Sequence, residues 1–131
     1  MTFEKFLLYY IYQEIEMDYL GKQILIELYG CNESLINDKQ YIENIMLKAA
    51  EVGNATIVGS NFHRFNPYGV SGVVVIAESH LSIHTWIEYK YVALDVFTCS
   101  DKIDTNKMVK FLIDSIENER HEIKEIKRGK C

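Results

Sequence analysis

Apolar and polar positions alternate from Lys22 to Tyr29 closely enough to predict a strand, which Gly30-Cys31-Asn32 then breaks. Asp38 to Val52 changes period: Ile42, Ile45, Met46 and Ala49 recur at helical spacing and form a stripe that reads as core. Ala55 to Phe65 is a second strand, closed by the turn Asn66-Pro67-Tyr68-Gly69, which holds the chain's single proline. The apolar run from Gly72 to Ala77 predicts a third strand. Ser82–Trp86 and Tyr91–Phe97 predict two more, and Asp104 to Glu117, with Met108, Leu112 and Ile116 in register, predicts a second main helix. A last segment, His121 to Lys127, would close the sheet. Strands clustered between two helices predict an α+β two-layer sandwich, mostly antiparallel, with helices on one face.

Composition narrows the function classes. The 131 residues are 48% hydrophobic and 25% charged, as in one ordinary globular domain, and no linker, repeat or low-complexity segment interrupts them. We divide the chain into an N-terminal extension or accessory helix, residues 1–16, and a single domain, residues 17–131, with Met17 as a second candidate start. The formal net charge of −5 argues against nucleic acid, because phosphate binding draws on clustered Lys and Arg. The one basic stretch, Lys124 to Lys130, reads as a solvated tail. Three cysteines, Cys31, Cys99 and Cys131, show no metal-ligand spacing and fit a reducing cytoplasm better than a disulfide framework. The apolar run Phe6 to Tyr12 is far short of the roughly 20 residues that span a bilayer. It also lacks a cleavage site of small residues, so neither a membrane span nor a signal peptide is expected.

The chemistry concentrates where the third strand ends. Glu78-Ser79-His80 follows the Val-rich run where a turn of Gly, Pro, Asn or Asp is usual, and His84, Trp86 and Cys99 lie close behind. His80, His84, Glu78 and Cys99 suggest zinc only weakly, since a spacing of four residues within a strand merely shares a face. Cys99 with His84 is a candidate thiol and base, although a lone Cys after a strand is more often a small buried residue. Ser79 offers a third chemistry: its hydroxyl can attack the carbonyl of the preceding peptide bond and split the chain.

Taken together, Ile76-Ala77-Glu78-Ser79-His80-Leu81-Ser82-Ile83-His84-Thr85-Trp86, preceded by Phe62-His63-Arg64-Phe65 and Gly69-Val70-Ser71-Gly72 and followed by Asp95-Val96-Phe97-Thr98-Cys99, closely resembles the prokaryotic S-adenosylmethionine decarboxylase proenzymes. The resemblance runs from about Leu20 through Cys99 and more weakly to the C-terminus. It implies cleavage between Glu78 and Ser79 into chains 1–78 and 79–131, with Ser79 converted to a pyruvoyl group that binds substrate as a Schiff base; neither pyridoxal phosphate nor a metal is expected. By the same resemblance Ser71 assists processing, His84 is the processing base, a role that suits a side chain ordinarily titrating near neutrality, and Cys99 is the general acid of turnover. Phe65 would stack on adenine, Glu88 would grip the ribose, and Leu81 and Trp86 would line the pocket.

The implied activity converts S-adenosylmethionine to its decarboxylated form for spermidine biosynthesis, in a cytoplasmic homodimer with an αββα arrangement. Ile87, Lys90 and Ser100 depart from the usual Pro, Gly and Gly, which keeps a related arginine or ornithine decarboxylase as an alternative. A small-ligand-binding domain that never processes is a further alternative from another class. A regular pleat from residue 79 would put Ser79 and His84 on opposite faces, so their shared role requires a bend or bulge after Ser79.

Overall fold

The computed structural model describes residues 2–8 and 19–130. Six strands form one sheet in the order β2-β3-β4-β5-β1-β6, and every pairing is antiparallel. They are β1 (Tyr19–Tyr29), β2 (Ile57–Arg64), β3 (Val70–Ile76), β4 (Ser79–Trp86), β5 (Tyr91–Thr98) and β6 (Arg120–Lys130). Between β1 and β2 lie a short helix α1 (Glu33–Ile36) and α2 (Lys39–Val52), and α3 (Thr105–Ser115) joins β5 to β6. The two-layer α+β expectation therefore holds.

Each helix starts where the sequence supplies a cap. Asn32, Asp38 and Asp104 accept hydrogen bonds from the main-chain N–H groups of Leu35, Tyr41 and Lys107, which satisfies donors left over at a helix start. The expected stripes are the buried ones: Ile42, Met46 and Ala49 on α2, and Met108 and Leu112 on α3, are fully buried. Gly53, just after α2, leaves room for the Met108 side chain, since an added Cβ would lie 2.4 Å from Met108 Cε.

Alternation along the strands builds the other half of the core. Val92, Leu94, Val96 and Thr98 are buried, as are Leu81, Ile83 and Thr85, so these positions face the helices. The intervening positions, among them His80, Ser82, His84, Trp86, Ala93, Asp95 and Phe97, occupy the opposite, open face.

Several boundaries differ from expectation. β4 begins at Ser79 rather than Ser82, so the expected cleavage point opens a strand instead of sitting in a loop. Lys124 to Lys130 is exposed throughout but is no tail: it forms the second half of edge strand β6, paired with β1 from Tyr19↔Lys130 to Tyr29↔Arg120. Alternating charge on an exposed edge is compatible with pairing on the other side and discourages pairing with foreign strands. Residues 3–8 are helical; residues 1 and 9–16 of the extension, and Met17, lie outside the described residues.

Candidate functional site

Only Ala77 and Glu78 separate β3 from β4, and the turn is held to its surroundings by hydrogen bonds. Ala77 N–H donates to Thr56 O, and Glu78 Oε1 accepts from Thr56 N–H at 3.1 Å. Ser79, the first residue of β4, has φ 141°, where side chains with a Cβ are crowded. Holding a non-glycine residue there costs on the order of 1–3 kcal/mol and persists only when the surroundings over-determine it. The distortion falls on the residue that follows the peptide bond expected to be cleaved.

The carbonyl of that bond is already polarised. Glu78 O accepts the main-chain N–H of Cys99 at 3.1 Å and the Cys99 thiol at 3.5 Å. Any tetrahedral adduct at Glu78 C would develop negative charge on this oxygen, and donors aimed there beforehand are the most effective form of stabilisation. Cys99 is exposed and free, and it borders a cavity of about 270 Å³ shared with Tyr19, Leu20, Lys22, Ser100 and Asp101.

Ser71 and His84 form a second centre. They are direct cross-strand partners on β3 and β4, and Ser71 Oγ lies 2.8 Å from His84 Nδ1. Both border a cavity of about 270 Å³ with Asn61, His63 and Ser82. An aromatic row continues from this centre across the open face. His84 meets Trp86 at 6.3 Å between ring centres, Trp86 meets Tyr91 at 5.3 Å, Tyr91 stacks on Tyr29 at 5.4 Å, and the Arg120 guanidinium lies 4.2 Å above the Tyr29 ring. Burial and the Glu27 carboxylate, which accepts the Tyr91 hydroxyl, both push that phenol well above its ordinary range.

Within one chain the two centres stay apart. β4 keeps continuous register with both β3 and β5 from Ser79 to Trp86. The bend expected after Ser79 is absent: the irregularity is confined to Ser79 itself, and five residues of strand put about 16 Å between Ser79 and His84. Ser71, facing His84, is likewise at the far end from Glu78 O, where the donors are those of Cys99.

The remaining expected residues divide between the faces. Trp86 is 41% exposed and Phe65 48%, both near the His84 end, with Phe65 held edge-on to His63 at 4.6 Å. Glu88 is exposed in a single 3-10 turn, Ile87–Tyr89, immediately after Trp86. Leu81 corrects the expectation: it is fully buried on the helix side, because it is out of phase with His80 and His84, so its side chain belongs to the core. Lys90 takes φ 50° at the end of the 3-10 turn and lies 3.9 Å from Glu33, beside Gly30 and Glu117–Glu119 rather than beside Cys99. Among the described residues no group of three or more His, Cys, Asp and Glu could hold a metal ion.

One feature escaped sequence reasoning. Asp95, the only acidic residue in β5, accepts hydrogen bonds from Gln23 Nε2 at 2.8 Å, from His80 Nε2 at 3.0 Å and from Ser82 Oγ. An acid in the middle of an otherwise apolar strand was the available signal.

A family model described as S-adenosylmethionine decarboxylase matches residues 22–129. The S-adenosylmethionine decarboxylase proenzyme of Pseudomonas paraeruginosa is 54% identical over 110 residues, covering 84% of this chain and 69% of the relative. That of Thermodesulfovibrio yellowstonii is 50% identical over 110 residues, covering 84% and 82%. The crystal structure of the adenosylmethionine decarboxylase from Aquifex aeolicus superposes with a TM-score of 0.79 at 33% identity, covering 86% of this chain and 92% of that one. A family match across nearly the whole sheet, with close relatives on both sequence and fold, places this chain in the S-adenosylmethionine decarboxylase family.

Proposed function

We propose that the chain is a self-processing S-adenosylmethionine decarboxylase that works as a homodimer in the cytoplasm and supplies the aminopropyl donor for spermidine. The observation that carries the reading is the conjunction at Glu78-Ser79: a serine at φ 141° follows a carbonyl that already accepts the N–H and S–H of Cys99.

In processing, Ser79 Oγ attacks Glu78 C, a C–O bond forms, the C–N bond breaks, and the freed amine is that of residue 79. The Cys99 N–H holds the transient oxyanion. A base then takes the Cα proton of residue 79, and the Glu78 carboxylate leaves by β-elimination; loss of the nitrogen as ammonia by hydrolysis completes a pyruvoyl cap on chain 79–131. The pyruvoyl group fits this position, since its precursor serine, a primed carbonyl and a free thiol already converge there. Its carbonyl supplies the electron sink that decarboxylation needs. Cys99 holds a proton beside that position and can deliver it to the substrate carbon. Phe65 and Trp86 offer aromatic faces to adenine or to a sulfonium cation, and Glu88 accepts from ribose hydroxyls.

His84 is the proposed base, and it reaches Ser79 through a second copy. A two-fold axis lying between two open faces and running across the strands reverses strand direction, so the His84 end of one chain meets the Ser79 end of the other. The open face needs such cover: Val75 and Trp86 are 43% and 41% exposed on it.

The test is intact mass and denaturing electrophoresis of the purified protein, followed by release of CO2 from S-adenosylmethionine, arginine and ornithine in parallel. The expected result is two chains divided at Glu78/Ser79, the smaller with a blocked N-terminus, and turnover of S-adenosylmethionine. A chain that stays whole and resists hydroxylamine would sink the proposal.

A further inference from the structure

The Asp95 cluster stands where cleavage alters the mechanics of the sheet. In the uncut chain the start of β4 is tethered to β3 through Ala77 and Glu78. Cutting before residue 79 removes the tether and turns residues 79–82 into a free strand end, and ends fray unless they are tied down. The main-chain ladder remains on both sides, with His80 opposite Val75 and Phe97, but it begins at the very residue that carries the reactive group.

Side chains add a tie at this place. The Asp95 carboxylate receives His80 Nε2 at 3.0 Å and Ser82 Oγ, both from the first four residues of β4, and Gln23 Nε2 at 2.8 Å from β1. Arg128 on β6 donates to Gln23 Oε1 at 2.9 Å and lies over the Phe97 ring at 5.2 Å. The Asp95 side chain is 13% exposed, so its hydrogen bonds are largely shielded from competing water. Three other strands thus brace two residues of the strand end.

Resting on the decarboxylase reading, we propose that Asp95, through His80 and Ser82, is a clamp that positions the new N-terminus of the 79–131 chain after cleavage, holding its pyruvoyl carbonyl against Cys99. Asp95 and His80 are positioning residues and take no chemical step. The clamp matters little before the cut, when the hairpin does the same work, and matters most after it. A brace that merely stabilises the sheet would count equally in both states.

The experiment compares Asp95→Ala, His80→Ala and His80→Gln with the parent, each also in an uncut Ser79→Ala background. The glutamine amide keeps a donor that reaches the Asp95 carboxylate. Cleavage is read by intact mass, stability by melting temperature, and turnover of S-adenosylmethionine by kcat and KM. The clamp predicts complete cleavage of Asp95→Ala and His80→Ala, a fall in kcat of tenfold or more with KM within about twofold, and a larger melting-temperature loss in cleaved than in uncut protein. His80→Gln should restore most of kcat. Equal melting losses in both backgrounds, or unchanged kcat in cleaved His80→Ala, overturn the clamp. If Asp95→Ala does not fold, the two His80 variants decide by the same criteria. A parent chain that never cleaves removes the proposed function and the clamp with it, whereas a parent that cleaves and turns over while the variants match it removes the clamp alone.

Discussion

The two ends of β4 carry different halves of the proposed chemistry. At one end Ser79 is conformationally strained, its preceding carbonyl is held by Cys99, and Asp95 gathers donors from β1 and β4. At the other end Ser71 and His84 form a relaxed hydrogen-bonded pair that opens onto an aromatic row and Arg120. The first end has an electrophile and proton donors but no free base in place; the second has an imidazole and stacking surfaces but no electrophile. Neither half suffices, and about 16 Å of regular strand prevents their meeting in one chain.

The largest effect that sharpens this contrast is expected from Ser79→Ala, which removes the nucleophile and should abolish both cleavage and decarboxylation, as read by intact mass and CO2 release. Next comes a mixing experiment. Ser79→Ala and His84→Ala chains, each uncut when made alone, should yield cleaved His84→Ala chains when co-expressed in equal amounts, up to roughly half of them if the copies pair at random as two-fold dimers. Absence of any cleaved chain in a confirmed heterodimer would mean that each chain completes its own site.

Smaller effects separate the ends chemically. Cys99→Ser should still cleave, since the main-chain N–H on Glu78 O remains, but kcat should fall by about 10²-fold or more as the proposed general acid weakens. Trp86→Ala should instead raise KM, with kcat changed far less; steady-state kinetics of the pair distinguishes the ends, and a common effect on kcat from both would erase the distinction.

The smallest effect concerns the two described thiols, one at each end. Cys99 is exposed, while Cys31, just beyond β1 at the His84 end, is 2% exposed, and burial raises its thiol from 9.0 to about 11. Iodoacetamide should label Cys99 in the folded protein and leave Cys31 unmodified, as peptide mass mapping would reveal. The folded chain keeps the Cys31 proton to higher pH than the unfolded chain does. Its contribution to stability is therefore fully present below pH 9 and lost as pH rises through about 11, a change of about 3 kcal/mol. Denaturant melts across that range should lose this component in Cys31→Ala.

What the sequence determined by itself was local. The apolar periods of α2 and α3, their Asp caps, the alternation in β5 and the Glu78-Ser79 motif are properties of neighbouring residues, and each is present in the fold. Sequence also carried the family, because several motifs recur at fixed mutual spacing. Tertiary structure decided what depends on register between distant strands. Cys99 reaches Glu78 O across 21 residues, and Asp95 meets Gln23 across 72. Leu81 falls on the core side while His84 falls on the open face, because continuous pairing of β4 to both neighbours leaves no bulge to change its phase. The family resemblance implied that Ser79 and His84 serve one site. The rigidity of a paired strand separates them, and that separation makes a second copy part of the proposed chemistry.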